Sequence, residues 1–316
     1  MLTIARARAK FILSGEHFVV KGSSSLVLPA DCFSTQVSLV DQSDHRVQVN
    51  CVFEDSSTGI SREKMSEYES LVLRLISLAA PMVGVNLNGV GLKCTVKSSI
   101  PPGQGAGSSS ALCQAIVEAL LKHFITNDVH PNYLKWFGTA LENAWHGPVS
   151  GIDNAAIAYG RPLFYRRGEK PVPLSVGYPL FFVVGSTGNR DASASPYDVM
   201  RSFAENNKSR YDMFFDEINN NVQRLASAFV RGDVKIIGEC MLSSQRIYQT
   251  IGLSTPLQNK AVQAAMGCGA FGARMTGAGC GGFVIALVSP ADVEKLQKVW
   301  MDLGLLSLRS IQLGLR

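Results

Sequence analysis

Several features that mark large protein classes are absent from this sequence of 316 residues. No run of about 18 apolar residues occurs, so we expect no membrane span. No block of five or so lysines and arginines occurs, and the net charge is only +5, so we expect no nucleic-acid partner. Internal repeats and low-complexity segments are also missing, which excludes solenoid and fibrous classes. With 46% hydrophobic and 17% charged residues, the composition is that of an ordinary folded protein.

The cysteines are few and scattered. Seven occur singly along the chain, none forms a C-x-x-C pair, and their number is odd. A disulfide framework or a zinc site is therefore not expected, and a reducing compartment is the default. The first residues lack the apolar stretch and cleavage site of a secretory signal. These absences together predict a cytoplasmic protein.

The pattern of elements predicts two domains of mixed helix and sheet. A chain of this length exceeds one ordinary core. From about residue 176 the pattern changes, so we predict domains over 1–175 and 176–316 in the α+β class. In the first domain we expect strands at 6–14, 26–40, 46–53 and 92–98, and helices at 66–80, 110–124 and 131–145. In the second we expect a strand after 176, three helical stretches between 197 and 267, strands near 272–276 and 283–288, a helix at 291–303 and a closing strand.

A glycine-rich loop with three serines, PPGQGAGSSSA, occupies residues 101–111 between a predicted strand and a predicted helix. Glycines let a backbone approach a ligand closely, and the first turn of a helix presents N–H groups to an anion. The alternative is a structural turn with a serine N-cap. The loop is not a Walker A sequence, because no Gly-Lys-Ser/Thr follows. A G-x-G-x-x-G spacing also occurs at 277–282. A dinucleotide-binding site would require a helix after it, but a strand is expected there, so we do not predict such a site.

Four segments, in order along the chain, carry a family resemblance: AKFILSGEHFVV at 9–20, PPGQGAGSSSA at 101–111, HGPVSGIDNAAIAYG at 146–160 and MTGAGCGGFVIAL at 275–287. Together they resemble the galactokinase–homoserine kinase–mevalonate kinase–phosphomevalonate kinase superfamily. Within it, the GEHFVV sequence from Gly15 resembles the G-E-H-x-V-V of mevalonate kinases. Phosphomevalonate kinases are the second interpretation, because they look similar there but tend to have Gly-Glu-Tyr or Gly-Gly-Tyr.

The resemblance implies both a fold and a reaction. The fold would be an N-terminal α+β domain related to a ribosomal-protein fold and a C-terminal ferredoxin-like domain, with the active site between them. The reaction would be phosphorylation of the primary hydroxyl of mevalonate by ATP, with Mg²⁺, giving 5-phosphomevalonate and ADP. The partners would then be ATP and mevalonate, and a homodimer is allowed. A decarboxylase of phosphorylated mevalonate and a non-catalytic ligand-binding relative are the competing hypotheses.

By resemblance, two residues would carry the chemistry. Asp153 would accept the proton of the substrate hydroxyl, and Lys10 would stabilise the developing alkoxide. From sequence alone, Asp153 could equally cap a helix, and most strand lysines point to water.

By resemblance, Ser109 and Glu142 would hold Mg²⁺, although a glutamate at the edge of an apolar helix stripe is ordinarily a solvated flank. The ATP-binding residues would be Pro102, Gly103, Gly105, Ala106, Gly107, Ser108, Ser109 and Ser110. The substrate-binding residues would be Glu16, His17, Thr276, Gly277 and Ala278.

The sequence departs from the family pattern at several positions. Arg8 and Ala9 replace the usual Pro-Gly, Pro148 stands one position early, and Cys280 occupies a position where glycine is common. The family's Arg-Ser-Thr segment has only a loose counterpart in 186–195, so no contact is assigned to that loop.

Overall fold

A computed structural model describes residues 1–53, 62–188 and 195–314, and these form two compact units. The first unit comprises Met1–Ala9, Phe33–Pro102 and Gly107–Gly160. The second comprises Lys10–Cys32, Gly103–Ala106 and the described residues from Arg161 onward. The chain passes between the units within two strands, β1 (Leu2–Ser14) and β2 (Ser24–Asp41), and within the glycine-rich loop. The domain boundary near residue 175 stays a prediction.

In the first unit, a small sheet carries a helical layer. The second half of β2 pairs antiparallel with β4 (Leu92–Ser98), and β3 (Val47–Phe53) pairs parallel with β4. The helices are α1 (Arg62–Met82), α2 (Ser108–Phe124), α3 (Pro131–His146) and α4 (Ile152–Tyr159). The predicted apolar stripe of α2 is confirmed, because Leu112, Ala115, Ile116, Ala119 and Leu120 are all buried. Helix α2 packs against the other three helices, which makes it the centre of this unit.

In the second unit, the chain order and the sheet order identify a ferredoxin-like arrangement. The strands β7 (Leu180–Ser186), β8 (Gly272–Met275), β9 (Phe283–Val288) and β10 (Leu306–Leu313) lie in the antiparallel order β10-β7-β9-β8. Helices lie between β7 and β8, and α9 (Val293–Asp302) lies between β9 and β10. This is the split β-α-β arrangement that the resemblance implies, so that expectation is confirmed. In the same unit, the first half of β2 pairs with β5 (Leu163–Arg166), which pairs with β6 (Val172–Pro173).

The number of helices between β7 and β8 was predicted wrongly. Among the described residues four helices lie there: α5 (Pro196–Asn206), α6 (Lys208–Arg231), α7 (Val234–Ile251) and α8 (Pro256–Gly267). The break between α5 and α6 is a single residue, Asn207, which caps both. No glycine or proline stands there, so the usual sequence signal for a helix end is missing.

Two further observations complete the fold. The buried indole of Trp300 on α9 donates from Nε1 to the carbonyl oxygen of Ala261 on α8 at 2.9 Å, which satisfies its polar atom inside the core of the second unit.

In the described ranges, no helix combines the length and the apolar character needed to cross a membrane.

Candidate active site

The glycine–serine loop enters α2 through a glycine. Gly107 is the N-cap, and its φ of +81° lies in the left-handed region that favours glycine. A glycine offers no side-chain oxygen, so the alternative of a serine N-cap is wrong. The serines instead form the first turn of α2, where the N–H groups of Ser108, Ser109 and Ser110 have no intrahelical acceptor. Three N–H donors at the positive end of a helix are suited to binding a phosphate.

The glycines at the start of the loop pack inside the second unit. The N–H of Lys10 on β1 donates to the carbonyl oxygen of Ala106 at 3.1 Å. A Cβ atom added to Gly282, which follows the turn after β8, would lie 2.3 Å from the carbonyl oxygen of Gln104. Only glycine permits that approach, and its φ of +85° requires the same residue. The 275–287 segment and the strand that bears Lys10 therefore both hold residues 103–106.

A buried carboxylate, that of Glu142, lies among the helices of the first unit. Glu142 on α3 is 7% exposed, so the interpretation of a solvated flank is wrong. Ser110 Oγ lies 2.9 and 2.8 Å from its two carboxylate oxygens, and Asn154 Nδ2 donates to Oε2 at 2.5 Å. Gln114 on α2 donates to both the carbonyl oxygen and Oδ1 of Asn154, at 2.6 and 3.1 Å. Helices α2, α3 and α4 thus meet through one polar network, which we call the Glu142 network.

The two residues expected to hold Mg²⁺ make different contacts. Ser110, one residue beyond the expected Ser109, is the serine that binds Glu142. The hydroxyl of Ser109 lies 3.1 Å from Nε2 of His146 at the end of α3. Burial lowers the pKa of His146, which favours a neutral ring beside that hydroxyl. The assignment of the metal to Ser109 and Glu142 stays a prediction.

The chemistry of these donors fits Mg²⁺ bound to a nucleotide. Such an ion takes one or two carboxylates, keeps several waters and receives the rest from phosphate oxygens. Glu142 and Ser109 are both oxygen donors, and they lie on the helix and in the first turn beside the phosphate-type loop. In the described part of the chain, no group of three or more His, Cys, Asp or Glu residues could hold an ion by itself. A dedicated all-protein metal cage is therefore not the expected arrangement among those residues.

Asp153 lies in the first turn of α4. The N-cap of that helix is Gly151, so the alternative in which Asp153 caps the helix is wrong. A carboxylate in a first turn interacts favourably with the helix dipole. The side chain is half-buried rather than enclosed, and its neighbour Asn154 is completely buried in the Glu142 network. Asp153 thus remains partly accessible, while the next residue, Asn154, is held in the Glu142 network.

Lys10 is a buried lysine on β1. Only 3% of the residue is exposed, so the ordinary alternative of a strand lysine in water is wrong. Two residues further along the strand, Ile12 exchanges two hydrogen bonds of 2.9 Å with Thr276 Oγ1, one from its N–H and one to its carbonyl oxygen. The start of the 275–287 segment is therefore fastened to the strand that carries the lysine.

The remaining substrate candidates converge within the second unit. Glu16 is 2% exposed and binds Arg274 Nη2 through both carboxylate oxygens at 2.9 Å, and Oε1 accepts the N–H of Gly277 at 3.3 Å. Burial raises the pKa of Glu16, and the charge of Arg274 offsets part of that rise. His17, with φ of +60°, makes a 2.7 Å hydrogen bond from Nε2 to the carbonyl oxygen of Ala278. The structure thus brings together all five predicted substrate residues.

A cavity of about 780 Å³ opens beside His17 in the second unit. Its walls come from the segment after β1 and from α5 and α6, and they are mainly apolar or aromatic, with charged residues among them. The ring of His17 contacts Tyr197 in this wall, with centroids 5.9 Å apart. His17 therefore both lines the cavity and contacts the carbonyl oxygen of Ala278.

Within the loop 186–195, the residues 186 and 187 contact the glycine-rich loop and the 275–287 segment. Ser186 Oγ bonds to Oε1 of Gln104 in the glycine-rich loop, and the N–H of Thr187 donates to the carbonyl oxygen of Gly282. Residues 189–194 lie outside the described residues, so no role is assigned to them.

Sequence reasoning missed several residues that the structure places in or beside these contacts. Ser110 was predicted to bind ATP, but its contact with Glu142 was not foreseen. Asn154 adjoins the predicted Asp153, and that adjacency was the available signal. Arg274 directly precedes the 275–287 segment, but a strand arginine gives no signal of burial. The OH of Tyr248 donates to the carbonyl oxygen of Glu16 at 2.9 Å. Because Tyr248 lies more than 200 residues after Glu16 in the sequence, no sequence signal pointed to this contact.

Comparisons with known proteins agree with the motifs. The family model "GHMP kinases N terminal domain" matches residues 70–161, and "GHMP kinases C terminal" matches residues 225–302. Together they span more than half of the chain. The chain is 28% identical over 300 residues to the mevalonate kinase of Aeropyrum pernix, covering 92% of this chain and 90% of the relative. It is 29% identical over 315 residues to that of Thermococcus gammatolerans, covering 93% and 91%.

Solved structures support the fold. The L. major mevalonate kinase in complex with R-mevalonate matches with a TM-score of 0.84 at 23% identity, over 98% of this chain and 95% of the other. The Methanococcus jannaschii mevalonate kinase gives 0.81 at 20% identity, over 99% and 98%. A Lactococcus lactis galactokinase with galactose gives 0.78 at 20%, over 99% and 94%. Since a kinase of another substrate matches nearly as well, these likenesses establish the architecture and leave the substrate to other evidence.

Proposed function

This chain belongs to the GHMP kinase family, and we propose that it transfers the γ-phosphoryl group of ATP to the primary hydroxyl of mevalonate. The observation that carries the substrate assignment is the similarity to curated mevalonate kinases over about nine-tenths of both chains. The GEHFVV sequence from Gly15, which resembles the G-E-H-x-V-V of mevalonate kinases, agrees with it. The fold is shared with kinases of other substrates, so it carries the reaction class and not the substrate.

We assign the triphosphate to the loop 102–110. The N–H groups of the first turn of α2 are oriented toward one point by the helix, and the left-handed Gly107 lets the chain turn into them. Phosphoryl transfer requires mainly positioning and charge neutralisation, and N–H donors at a helix start supply both. The backbone, rather than a lysine of a Walker loop, would therefore hold the phosphates.

We assign Mg²⁺ to Glu142 and Ser109. When bound, the ion would neutralise charge on the β- and γ-phosphates. The part played by the protein is to hold the Glu142 carboxylate in place, and the hydrogen bonds from Ser110 and Asn154 do so. Ser110 is then a residue that orients the carboxylate rather than a metal ligand.

We assign the proton transfer to Asp153. Its carboxylate would accept the proton of the substrate hydroxyl as the oxygen bonds to the γ-phosphorus, while the bond to the β–γ bridging oxygen breaks and ADP leaves. The half-buried position of Asp153 leaves it able to meet a substrate. The ammonium of Lys10 would stabilise the alkoxide character of that oxygen, and its burial strengthens such an interaction.

We assign the recognition of mevalonate to His17 and the backbone of 276–278. The imidazole is fixed by its hydrogen bond to Ala278 and by the neighbouring aromatic rings of Tyr197 and Tyr248. A fixed imidazole beside this backbone would bind the hydroxyl and carboxylate of the substrate.

We place the protein in a reducing compartment such as the cytoplasm. All seven cysteines lie in the described part of the chain and are free, and six of them are buried. Such thiols behave as small apolar core residues.

The test is a coupled assay of ADP release with mevalonate, phosphomevalonate, galactose and homoserine. We expect kcat/KM to be highest for mevalonate by at least about tenfold, which corresponds to roughly 1.4 kcal/mol of transition-state binding. A higher value for phosphomevalonate would reassign the protein within the family. Absence of ADP release with every acceptor would favour the non-catalytic relative.

A further inference from the structure

A buried ion pair joins two segments of the proposed substrate site, and the proposed function has no use for one of its members. Arg274 is 0% exposed and Glu16 is 2% exposed. One nitrogen, Nη2, lies 2.9 Å from each carboxylate oxygen of Glu16. The guanidinium stands over the ring of Tyr248, with Cζ 5.0 Å from the ring centroid. The phenol of Tyr248 in turn donates to the carbonyl oxygen of Glu16 at 2.9 Å.

The Glu16 carboxylate is turned toward the protein. Besides Arg274 on β8, it accepts the N–H of Gly277 in the turn that follows, at 3.3 Å, and its own backbone adds a further hydrogen bond. A carboxylate that binds a substrate is expected to keep one of its oxygens accessible. At 2% exposure, Glu16 is instead enclosed by the groups that hold it.

The pair lies directly beside His17 and Gly277. His17 follows Glu16 directly and has φ of +60°, a strained conformation for a residue other than glycine that persists only where the surroundings fix it. Its Nε2 contacts Ala278, which follows Gly277 directly. The segments 16–17 and 277–278 therefore contact each other twice, because Glu16 binds Gly277 and His17 binds Ala278. Arg274 supports this arrangement through its ion pair with Glu16.

Stability alone does not account for this arrangement. Burying an ion pair is costly, and apolar pairs of similar volume are often as stable or more stable. Within the described residues, Nε and Nη1 of Arg274 are buried without a hydrogen-bond partner, which adds a desolvation cost. The contact with Tyr248 offsets part of it. A costly group that fixes a strained neighbour is expected where geometry matters for function.

We propose that Glu16 and Arg274 form a positioning pair that holds His17 and the 276–278 backbone in the arrangement that binds the substrate, and that Glu16 does not itself contact the substrate. The inference rests on the proposed function for its kinetic consequence. It revises the expectation, drawn from the family resemblance, that Glu16 is a substrate ligand. Both members of the pair act through other residues.

A double-mutant cycle separates a positioning pair from a substrate ligand. We expect Glu16→Gln and Arg274→Met each to lower kcat/KM for mevalonate by at least about tenfold, with KM for ATP changed by less than about threefold. We expect the double variant to lose no more than the worse single variant, because both changes release the same arrangement. Arg274→Lys keeps the charge and should recover part of the loss.

The matched control is the exposed pair Arg224 and Glu239, whose Nη2 and Oε2 atoms lie 2.6 Å apart in the same unit. Arg224→Met and Glu239→Gln remove the same groups and should leave kcat/KM within about twofold. The inference is overturned if Glu16→Gln abolishes turnover while Arg274→Met does not, since Glu16 would then act on the substrate directly. Losses that simply add would overturn it as well.

A second measurement needs no substrate. Hydrogen exchange followed by mass spectrometry should show faster exchange of peptides covering 15–18 and 275–279 in Arg274→Met, and a smaller increase in Arg274→Lys. Thermal unfolding confirms that the variants are folded. If the wild-type protein phosphorylates no acceptor, the proposed function fails while this exchange still tests the pair. Unchanged exchange in folded Arg274→Met would refute the positioning role whatever the substrate.

Discussion

The Glu142 network makes a quantitative prediction about Asn154. This residue is completely buried, and its amide is oriented by two partners: Nδ2 donates to Glu142 at 2.5 Å, and Oδ1 accepts from Gln114 at 3.1 Å. Asn154→Asp preserves the shape and the acceptor but replaces the donor with a second carboxyl group. The substitution therefore removes one hydrogen bond and sets two carboxyl groups against each other.

The expected cost follows from burial. A hydrogen bond to a charged group contributes about 1.5–3 kcal/mol, and leaving a buried charge without its partner costs about 3–5 kcal/mol. We expect Asn154→Asp to lower the free energy of unfolding by about 3 kcal/mol at about pH 8.

The cost should depend on pH in a defined direction. Burial and the neighbouring carboxylate raise the pKa of the introduced carboxyl in the folded state. A raised pKa favours folding at low pH, where the proton is bound, and this contribution is lost as pH rises through the folded-state pKa. The variant should therefore be closer to wild type at about pH 5.5 than at about pH 8, because a protonated carboxyl can again donate to Glu142.

The assay is urea unfolding followed by tryptophan fluorescence in a Trp300→Phe background. The remaining tryptophans, Trp136 and Trp145, both lie on α3, so the signal reports the unit that contains the network. Asn143→Asp is the control, since the exposed Asn143 only accepts, from the N–H of Val149 at 2.8 Å, and a carboxylate can replace it. A pH-independent loss of less than about 0.5 kcal/mol for Asn154→Asp would refute the reasoning.

Two further predictions concern the reaction. Asp153→Asn keeps the volume of the side chain but cannot accept the proton, so kcat with mevalonate should fall by at least about a hundredfold while ATP binding is nearly unchanged; near-normal turnover of the folded variant would remove Asp153 from the chemistry. Adding Lys10→Met should cost less than the sum of the separate losses if both residues act on one proton transfer. Glu142→Gln should raise the Mg²⁺ concentration needed for half-maximal rate, and Ser109→Ala should raise it less, because a neutral hydroxyl binds a divalent ion more weakly than a carboxylate does; an unchanged Mg²⁺ titration with full activity would exclude Glu142 as a ligand.

Elements with strong local signals could be predicted. The predicted bounds of α2 and α3 are close to the observed ones: α2 begins two residues earlier and α3 ends one residue later. The agreement arises because an apolar stripe of helical period specifies the buried face of each helix. The ends were less predictable. The serines of the loop form the first turn of α2 rather than a cap, because the preceding Gly107 adopts the left-handed conformation that starts the helix.

The sequence proposes candidate site residues where a contiguous motif marks them. Lys10, Asp153 and the loop 102–110 each lie within such a motif, and their roles stay predictions. The hydrogen-bond partners of the candidate residues have no such motif, because contacts between distant segments determine them. Ser110 rather than Ser109 meets Glu142 because successive residues of a helix point about 100° apart, and the packing of α2 on α3 selects between them.

The sequence by itself determined the family, the α+β class and the reaction type, because phosphate-binding loops and catalytic positions depend on local backbone chemistry that short motifs record. Only the tertiary structure decided which polar groups are buried and what they face. Lysine, glutamate and arginine are surface residues by default. Lys10, Glu16, Glu142 and Arg274 are nevertheless buried. For Glu16 and Glu142, partners from other segments supply the hydrogen bonds that burial requires, and no local pattern encodes those partners.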